Sequence, residues 1–346
     1  MGSAGPCDPR MMEMFEARVT PVCGDLGQPN LGLTPEMWTR LAGELDTIFH
    51  NGAVVNYLFN YDRMREGNVL GTNEVLRLAF EGRAKEFNHV STTFVFGWAV
   101  KSVLYETDQN TNMEFLDFGY SQSKWVAEQV VFDARSRGLS TRVFRPALVS
   151  PSVTGGGNNF DIAVRLLAFM VNHGIGVDTL NQVSFVPADI VANNIVAIST
   201  TPGTANQTFH VVRDEYSNMM DITALMTKAT GRQFEIFSLP DFVPELIRRC
   251  RKEDLLFPLL DFLVGSVDNI SAMEFKRYES STYQMARDAS VFGQADPPLE
   301  DTVNGILKFM HRKGIISVAP HEVSVASPAP PGSLLNCTDA LSATAS

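Results

Sequence analysis

The chain has no apolar run of about 18 residues, the length a helix needs to cross a bilayer. Nothing at its start pairs a basic stretch with an apolar one, as a secretion signal does. A cytoplasmic address is the expectation. Long basic runs are also lacking. Formal net charge is -11, with 28 Lys and Arg against 39 Asp and Glu, which argues against nucleic acid or an anionic membrane as a partner. Cysteine is sparse: Cys7, Cys23, Cys250 and Cys337 show no C-x-x-C spacing and no nearby histidine pair, so free thiols are expected rather than zinc. Nor does any glycine-rich turn with G-x-G-x-x-G spacing stand between a strand and a helix. Gly24, Gly27 and Gly32 are wrongly spaced with Asp25 among them, and Gly155-Gly156-Gly157 reads as a flexible crossover loop.

What is present is an ordinary apolar content, 45 %, in 346 residues, enough for a large core in one large or two smaller domains. Short buried strands alternate with amphipathic helices. Arg18 to Leu26 reads as a strand ending at a Gly-Asp turn, and Leu33 to Leu45 as a helix capped by Thr34 with Pro35 first. Asp46 to Ala53 is a second strand, Asp62 to Phe80 a helix, and Phe87 to Gly97 a strand with the hydroxyl residues Ser91, Thr92 and Thr93 toward its end. Thr141 to Val149 and Gln207 to Arg213 continue the pattern. Such alternation predicts parallel βαβ units with right-handed crossovers, whose ligands bind beyond the carboxyl ends of the strands. Longer helices follow Asp214, and the Ser, Ala and Pro-rich stretch after Ile316 reads as disordered. The expected divisions are an irregular 1–17, a sheet domain over 18–213, a mostly helical lobe over 214–316 and a tail over 317–346.

Gly119-Tyr120-Ser121-Gln122-Ser123-Lys124 opens a helical pattern, and i,i+4 spacing puts Tyr120 and Lys124 on one face. A phenol beside an ammonium is a ready acid, because the cation stabilises the phenolate. With the hydroxyl strand upstream, the pair resembles the Ser/Thr-Tyr-Lys constellation of the extended short-chain dehydrogenases/reductases. Thr92 aligns as the hydroxyl member, with Ser91 and Thr93 as alternatives. The ordered set Gly24-Asp25-Leu26, His50 to Asn56, Asn68 to Thr72, Ser91-Thr92, Tyr120 to Lys124 and Phe185 to Asp189 is similar to the thioester reductase domains that end nonribosomal peptide synthetases, polyketide synthases and carboxylic acid reductases. The resemblance covers about residues 18 to 310.

That resemblance implies an α/β fold, a Rossmann-like parallel sheet with a smaller, mostly helical C-terminal lobe. It also implies NADPH as cofactor, and an acyl thioester on a phosphopantetheine carrier or coenzyme A as substrate, with an acyl carrier protein as partner. Asp25 and Leu26 would border the adenine, and Asn51, Gly52 and Ala53 would lie along the dinucleotide. Asn68, Pro146 and Val149 would complete the cofactor site. Lys124 would bond the nicotinamide ribose, while Thr92 and Tyr120 would hold and protonate the carbonyl oxygen. The family opens with a strand, a glycine turn and a helix that hold the pyrophosphate, and this sequence does not carry that unit. The expectation is therefore an N-terminally truncated sheet with impaired cofactor binding. A misassigned start, a natural remnant and a sheet completed by another chain remain three explanations. Two further readings stay open: non-redox Dieckmann-type release, and a non-catalytic pseudoenzyme or interaction module. Arg248 to Lys252 reads as a solvated helix end, and His50 as a strand-end residue satisfied by hydrogen bonds.

Overall fold

The computed structural model describes residues 9–98, 101–111, 116, 118–158, 160–273 and 276–321. Four parallel strands form the central sheet in the order Thr47–His50, Glu86–Val90, Thr141–Pro146, Thr208–Val211. Between them run the crossovers anticipated from the alternating pattern. The helix Pro35–Glu44 precedes the first strand. It is capped by the Thr34 hydroxyl, which accepts from the Met37 N–H at 3.3 Å, and Pro35 stands where a missing N–H costs nothing. The expected helix over 62–80 is continuous but carries one turn of π-helix, Glu66–Leu70, between Tyr61–Arg65 and Gly71–Phe80. Such a turn widens the helix locally and is frequent at functional sites.

Apolar side chains cover both faces of the sheet. On one face Ile48, Phe87 and Val143 pack against Trp38, Leu76, Ala79 and Val131. On the other, Phe144 and Phe209 stack with ring centroids 5.1 Å apart and meet Val191, Ile195 and Ile198 of the helix Ala188–Ser199. A third and larger core joins the helices Ile162–His173, Met219–Thr230, Leu239–Arg249 and Leu299–Arg312 with the parallel pair Ile175–Asp178 and Glu235–Ser238. Ile162–His173 and Ile175–Asp178, which precede the expected boundary at 214, belong to this core. Gly231 ends Met219–Thr230 in the left-handed conformation, at φ 68°, as its place after the helix implied.

One expected strand is not formed. Residues 19–25 are irregular, Val19 and Val22 are exposed, and Asp25 sits in a turn, its side chain accepting from the Gly27 N–H at 2.8 Å. Extended backbone needs a hydrogen-bonded neighbour to count as a strand, and residues 19–25 pair with no strand among the described residues. The run 9–18, expected to be irregular apart from a short helix at 11–17, is a ten-residue helix, Pro9–Arg18. Residues 1–8 and the expected tail from 322 onward lie outside the described residues.

A buried ion pair stitches three elements together. Glu128, on the helix Gly119–Ser136, accepts from Arg145 Nε at 3.0 and 3.2 Å and from Ser91 Oγ at 2.6 Å. Both charged side chains are 1 % exposed. Arg145 also donates to the Asp108 carbonyl at 3.0 Å and lies over the Phe96 ring. Removing one member strands the other charge in a dry interior, which costs about 3–5 kcal/mol. Arg145→Met is therefore expected to lower unfolding free energy by about that amount, read from chemical denaturation. A loss under about 1 kcal/mol would contradict this account of the pair.

Candidate functional site

A cavity of about 380 Å³ opens beyond the carboxyl ends of the strands. Each wall is set by its element. Thr92 follows the strand Glu86–Val90 and caps the short helical turn Thr93–Phe96, its hydroxyl oxygen accepting from the Phe94 N–H at 3.2 Å. Tyr120 and Lys124 lie one turn apart at the start of Gly119–Ser136. Gly119 admits this placement, because a Cβ there would sit inside the Phe59–Asn60 backbone.

Thr92, Tyr120 and Lys124 all line the cavity, together with Asn51, Ala53, Pro146 and Val149. The three neighbouring hydroxyls point to different tasks. Ser91 lines the cavity too, but its proton goes to Glu128, whereas Thr93 faces a second, apolar cavity. Thr92 is the one of the three that acts on Tyr120, opposing the rise in its pKa.

Asp25, Leu26, Gly52 and Asn68 are not among the residues lining the cavity. Leu26 packs on two glycines: a Cβ on Gly52 would come within 2.8 Å of the Leu26 side chain, and one on Gly71 within 2.7 Å of its carbonyl. Asn68 is 2 % exposed and wholly engaged. It accepts from the Val54 N–H at 2.7 Å and donates to the Val54 carbonyl at 3.0 Å and to Ser123 Oγ at 2.9 Å. It thus clamps the loop after the first strand to the Tyr-Lys helix.

The electrostatics differ from the expectation of a cation-activated phenol. Tyr120 is held above the usual phenol range, first by burial and then by the Asp161 carboxylate, with the Thr92 hydrogen bond acting the other way. Lys124 donates to the Val90 carbonyl at 2.7 Å and lies 3.5 Å from His89 Nε2. The causes of the Tyr120 shift are burial, Asp161 and Thr92. Burial brings the Lys124 pKa down to about 8, partly offset by Glu128. The ammonium in turn helps burial keep His50 and His89 neutral, His50 at about 3. Because Thr72 Oγ1 donates to the Asn68 carbonyl at 2.6 Å, His50 Nε2 is the donor in its 2.9 Å contact with Thr72. His50 is thereby satisfied in the core, as expected.

Two residues were missed by sequence reasoning. Tyr57 donates to Asp161 Oδ1 at 2.5 Å, and both line the cavity. Tyr57 packs against Phe94, Phe118 and Tyr120, so an aromatic cluster surrounds the phenol. The available signal was Asp161, an acidic cap immediately before an apolar helix, which accepts from the Ile162 N–H at 2.6 Å. The triple glycine expected to be a flexible loop is tied down instead. Gly156 N–H donates to Ser152 Oγ at 2.7 Å, and Gly157 and Asn158 line the cavity. Arg248 and Arg249 pair with Glu245, consistent with a helix end held by local ion pairs.

A parallel α/β sheet with Thr, Tyr and Lys gathered at its carboxyl edge defines a protein of the extended short-chain dehydrogenase/reductase class. The chain belongs to its thioester reductase family: the family model described as "Male sterility protein", of an NAD-binding type, matches residues 6–195. It is 31 % identical to the terminal R domain from the myxalamid PKS-NRPS biosynthetic pathway, with a TM-score of 0.80, covering 89 % of this chain and 78 % of that one. Over 223 residues it is 36 % identical to a linear gramicidin synthase of Brevibacillus parabrevis, a match spanning 63 % of this chain and 4 % of the synthase. Over 266 residues it is 32 % identical to the large component of the L-2-aminoadipate reductase of Candida glabrata, spanning 72 % of this chain and 19 % of that protein. The chain thus corresponds to a small part of each of these two relatives. A thiolation-reductase di-domain from an archaeal nonribosomal peptide synthetase, 18 % identical with a TM-score of 0.72, shares the fold.

The family points to a nicotinamide cofactor, and the cavity fits one end of it. Lys124 offers an ammonium proton beside Asn51 and Ala53, where a ribose has partners. Among the described residues no glycine-rich turn between a strand and a helix precedes Thr47.

The Lys124 shift has a checkable sign. The native side chain releases its proton near pH 8, the unfolded one near pH 10.4, so between these the unfolded chain binds more protons and stability rises with pH. Wild type is expected to gain stability relative to Lys124→Met between about pH 7.5 and about pH 9.5, compared by urea midpoints. A constant gap would show that Lys124 titrates normally.

Proposed function

We propose that the chain reduces acyl thioesters, carried on a phosphopantetheine arm or coenzyme A, to aldehydes with NADPH as reductant, in the assembly of a secondary metabolite. The observation that carries this reading is the meeting of Thr92, Tyr120 and Lys124 around one cavity. The thiolation-linked and synthetase-terminal relatives support a carrier-bound substrate.

In this reading the thioester carbonyl oxygen sits between the Thr92 and Tyr120 hydroxyls. A bound nicotinamide cofactor supplies hydride to the carbonyl carbon. Negative charge then develops on the oxygen, where two preplaced donors in a partly dry cavity stabilise it. Because burial and Asp161 keep Tyr120 protonated, the phenol arrives with its proton and gives it to that oxygen. The resulting thiohemiacetal expels the thiol and leaves the aldehyde, which a second round would take to the alcohol. Lys124, charged at neutral pH and braced by the Val90 carbonyl, holds the ribose hydroxyls. Asn68 keeps the Val54 loop and Ser123 in register and acts as a positioning residue.

A second reading, non-redox release such as Dieckmann-type cyclisation, would use Thr92, Tyr120 and Lys124 at the same cavity without a dinucleotide. A fluorescence titration with NADPH, paired with an acyl-pantetheine turnover assay, separates the two. Saturable binding and aldehyde formation are expected; thioester release with no NADPH dependence would replace the first reading with the second. Tyr120→Phe and Thr92→Val are each expected to lower kcat by about 10²–10³ with little change in KM, the mark of donors used mainly in the transition state. Unchanged kcat in both variants would remove the carbonyl from this position.

A further inference from the structure

The second cavity, of about 270 Å³, shares Tyr57, Phe94 and Ala147 with the first and so continues from the place where the thioester carbonyl is proposed to lie. Its walls are apolar, with Phe118, Phe262 and Met273 among them. Yet it contains a lysine. Lys276 is 7 % exposed, and its Nζ donates to the Gly97 carbonyl at 2.8 Å and lies 3.5 Å from Met273 Sδ, a weak acceptor. No ion pair among the described residues includes Lys276. An ammonium has three protons, and one carbonyl and a thioether leave it short of acceptors among the described residues. A buried cation is costly unless paired, and burial lowers its pKa to about 8, with no nearby charge offsetting this. Ligand cavities with mostly apolar walls use a few such placed polar groups to fix orientation.

From this juxtaposition of an apolar chamber and an under-satisfied ammonium we infer that the chamber receives the acyl chain and that Lys276 reads an oxygen acceptor, carboxylate or carbonyl, near the chain's distal end. The favoured substrates are thus oxygenated acyl thioesters rather than plain hydrocarbon ones. The same lysine, held at the Gly97 carbonyl, is already oriented, so little side-chain freedom remains to be lost when the acceptor arrives. This inference rests on the reductase reading of the adjoining cavity, and its test keeps the two apart.

The test uses three pantetheine thioesters of equal chain length: octanoyl, 7-oxooctanoyl and the half-thioester of octanedioate. Turnover with NADPH and binding by calorimetry are measured for the full chain and for Lys276→Gln, which keeps a donor for the Gly97 carbonyl but loses the charge. Wild type is expected to favour one or both oxygenated chains over octanoyl by about tenfold or more in kcat/KM and in Kd, and Lys276→Gln to lose most of that preference. The carboxylate arm winning assigns an anionic end; the ketone arm winning assigns a neutral carbonyl. Turnover with no preference, or a preference that survives in Lys276→Gln, overturns the inference and leaves the reductase reading standing. Absence of turnover with the binding preference intact does the reverse. If Lys276→Gln fails to fold, the wild-type ranking decides, equal affinities overturning the inference.

Discussion

The site depends on one buried charge pair. Glu128 stands one turn beyond Lys124, Arg145 immediately before Pro146, and Ser91 immediately before Thr92. The carboxylate bonded to both partners therefore fixes, at one point, the strand end that carries the hydroxyl, the helix that carries phenol and ammonium, and the strand that closes the cavity. Such a pair is not by itself stabilising when compared with well-packed apolar groups. Its value lies in geometry, since every alternative arrangement of these three elements would leave a charge unpaired. Asn68 makes the second tie, from the loop after the first strand to the same helix.

Within that frame the charges take unequal parts. Burial makes Tyr120 reluctant to ionise and Lys124 readier to give up its proton, so the two shifts bring their affinities for the proton in opposite directions. A phenol that stays neutral is a good donor to an oxygen acquiring charge and a poor resident base. The neutral imidazoles of His50 and His89 add no further positive charge near Lys124.

Much of this was legible in the sequence, because local patterns follow from local chemistry. The cap and proline at 34–35, the alternating strands, and the Tyr120–Lys124 spacing on one helical face all survived into the fold. The central sheet is the Rossmann-like parallel one anticipated, beside a mostly helical lobe. What was not legible depends on distant partners. The segment 19–25 has the composition of a strand, but strand formation requires a neighbour that composition does not supply. Tyr57 and Asp161 are 104 residues apart, and only the folded chain joins them. The partner of Lys124 was not legible either: spacing placed it on one face with Tyr120, but its ammonium is held by the Val90 carbonyl of the neighbouring strand.

The two borders of the sheet are treated differently. At Thr208–Val211 the Glu106 carboxylate accepts from the His210 N–H at 2.9 Å, plugging the ladder with a side chain. On the outer side of Thr47–His50 no strand lies alongside among the described residues, and Phe49 there is 44 % exposed. An open strand edge beside an aromatic ring is a ready place for a further strand to add. A strand supplied from beyond the described residues would find its hydrogen-bonding partners along that border, with the Phe49 ring to pack on.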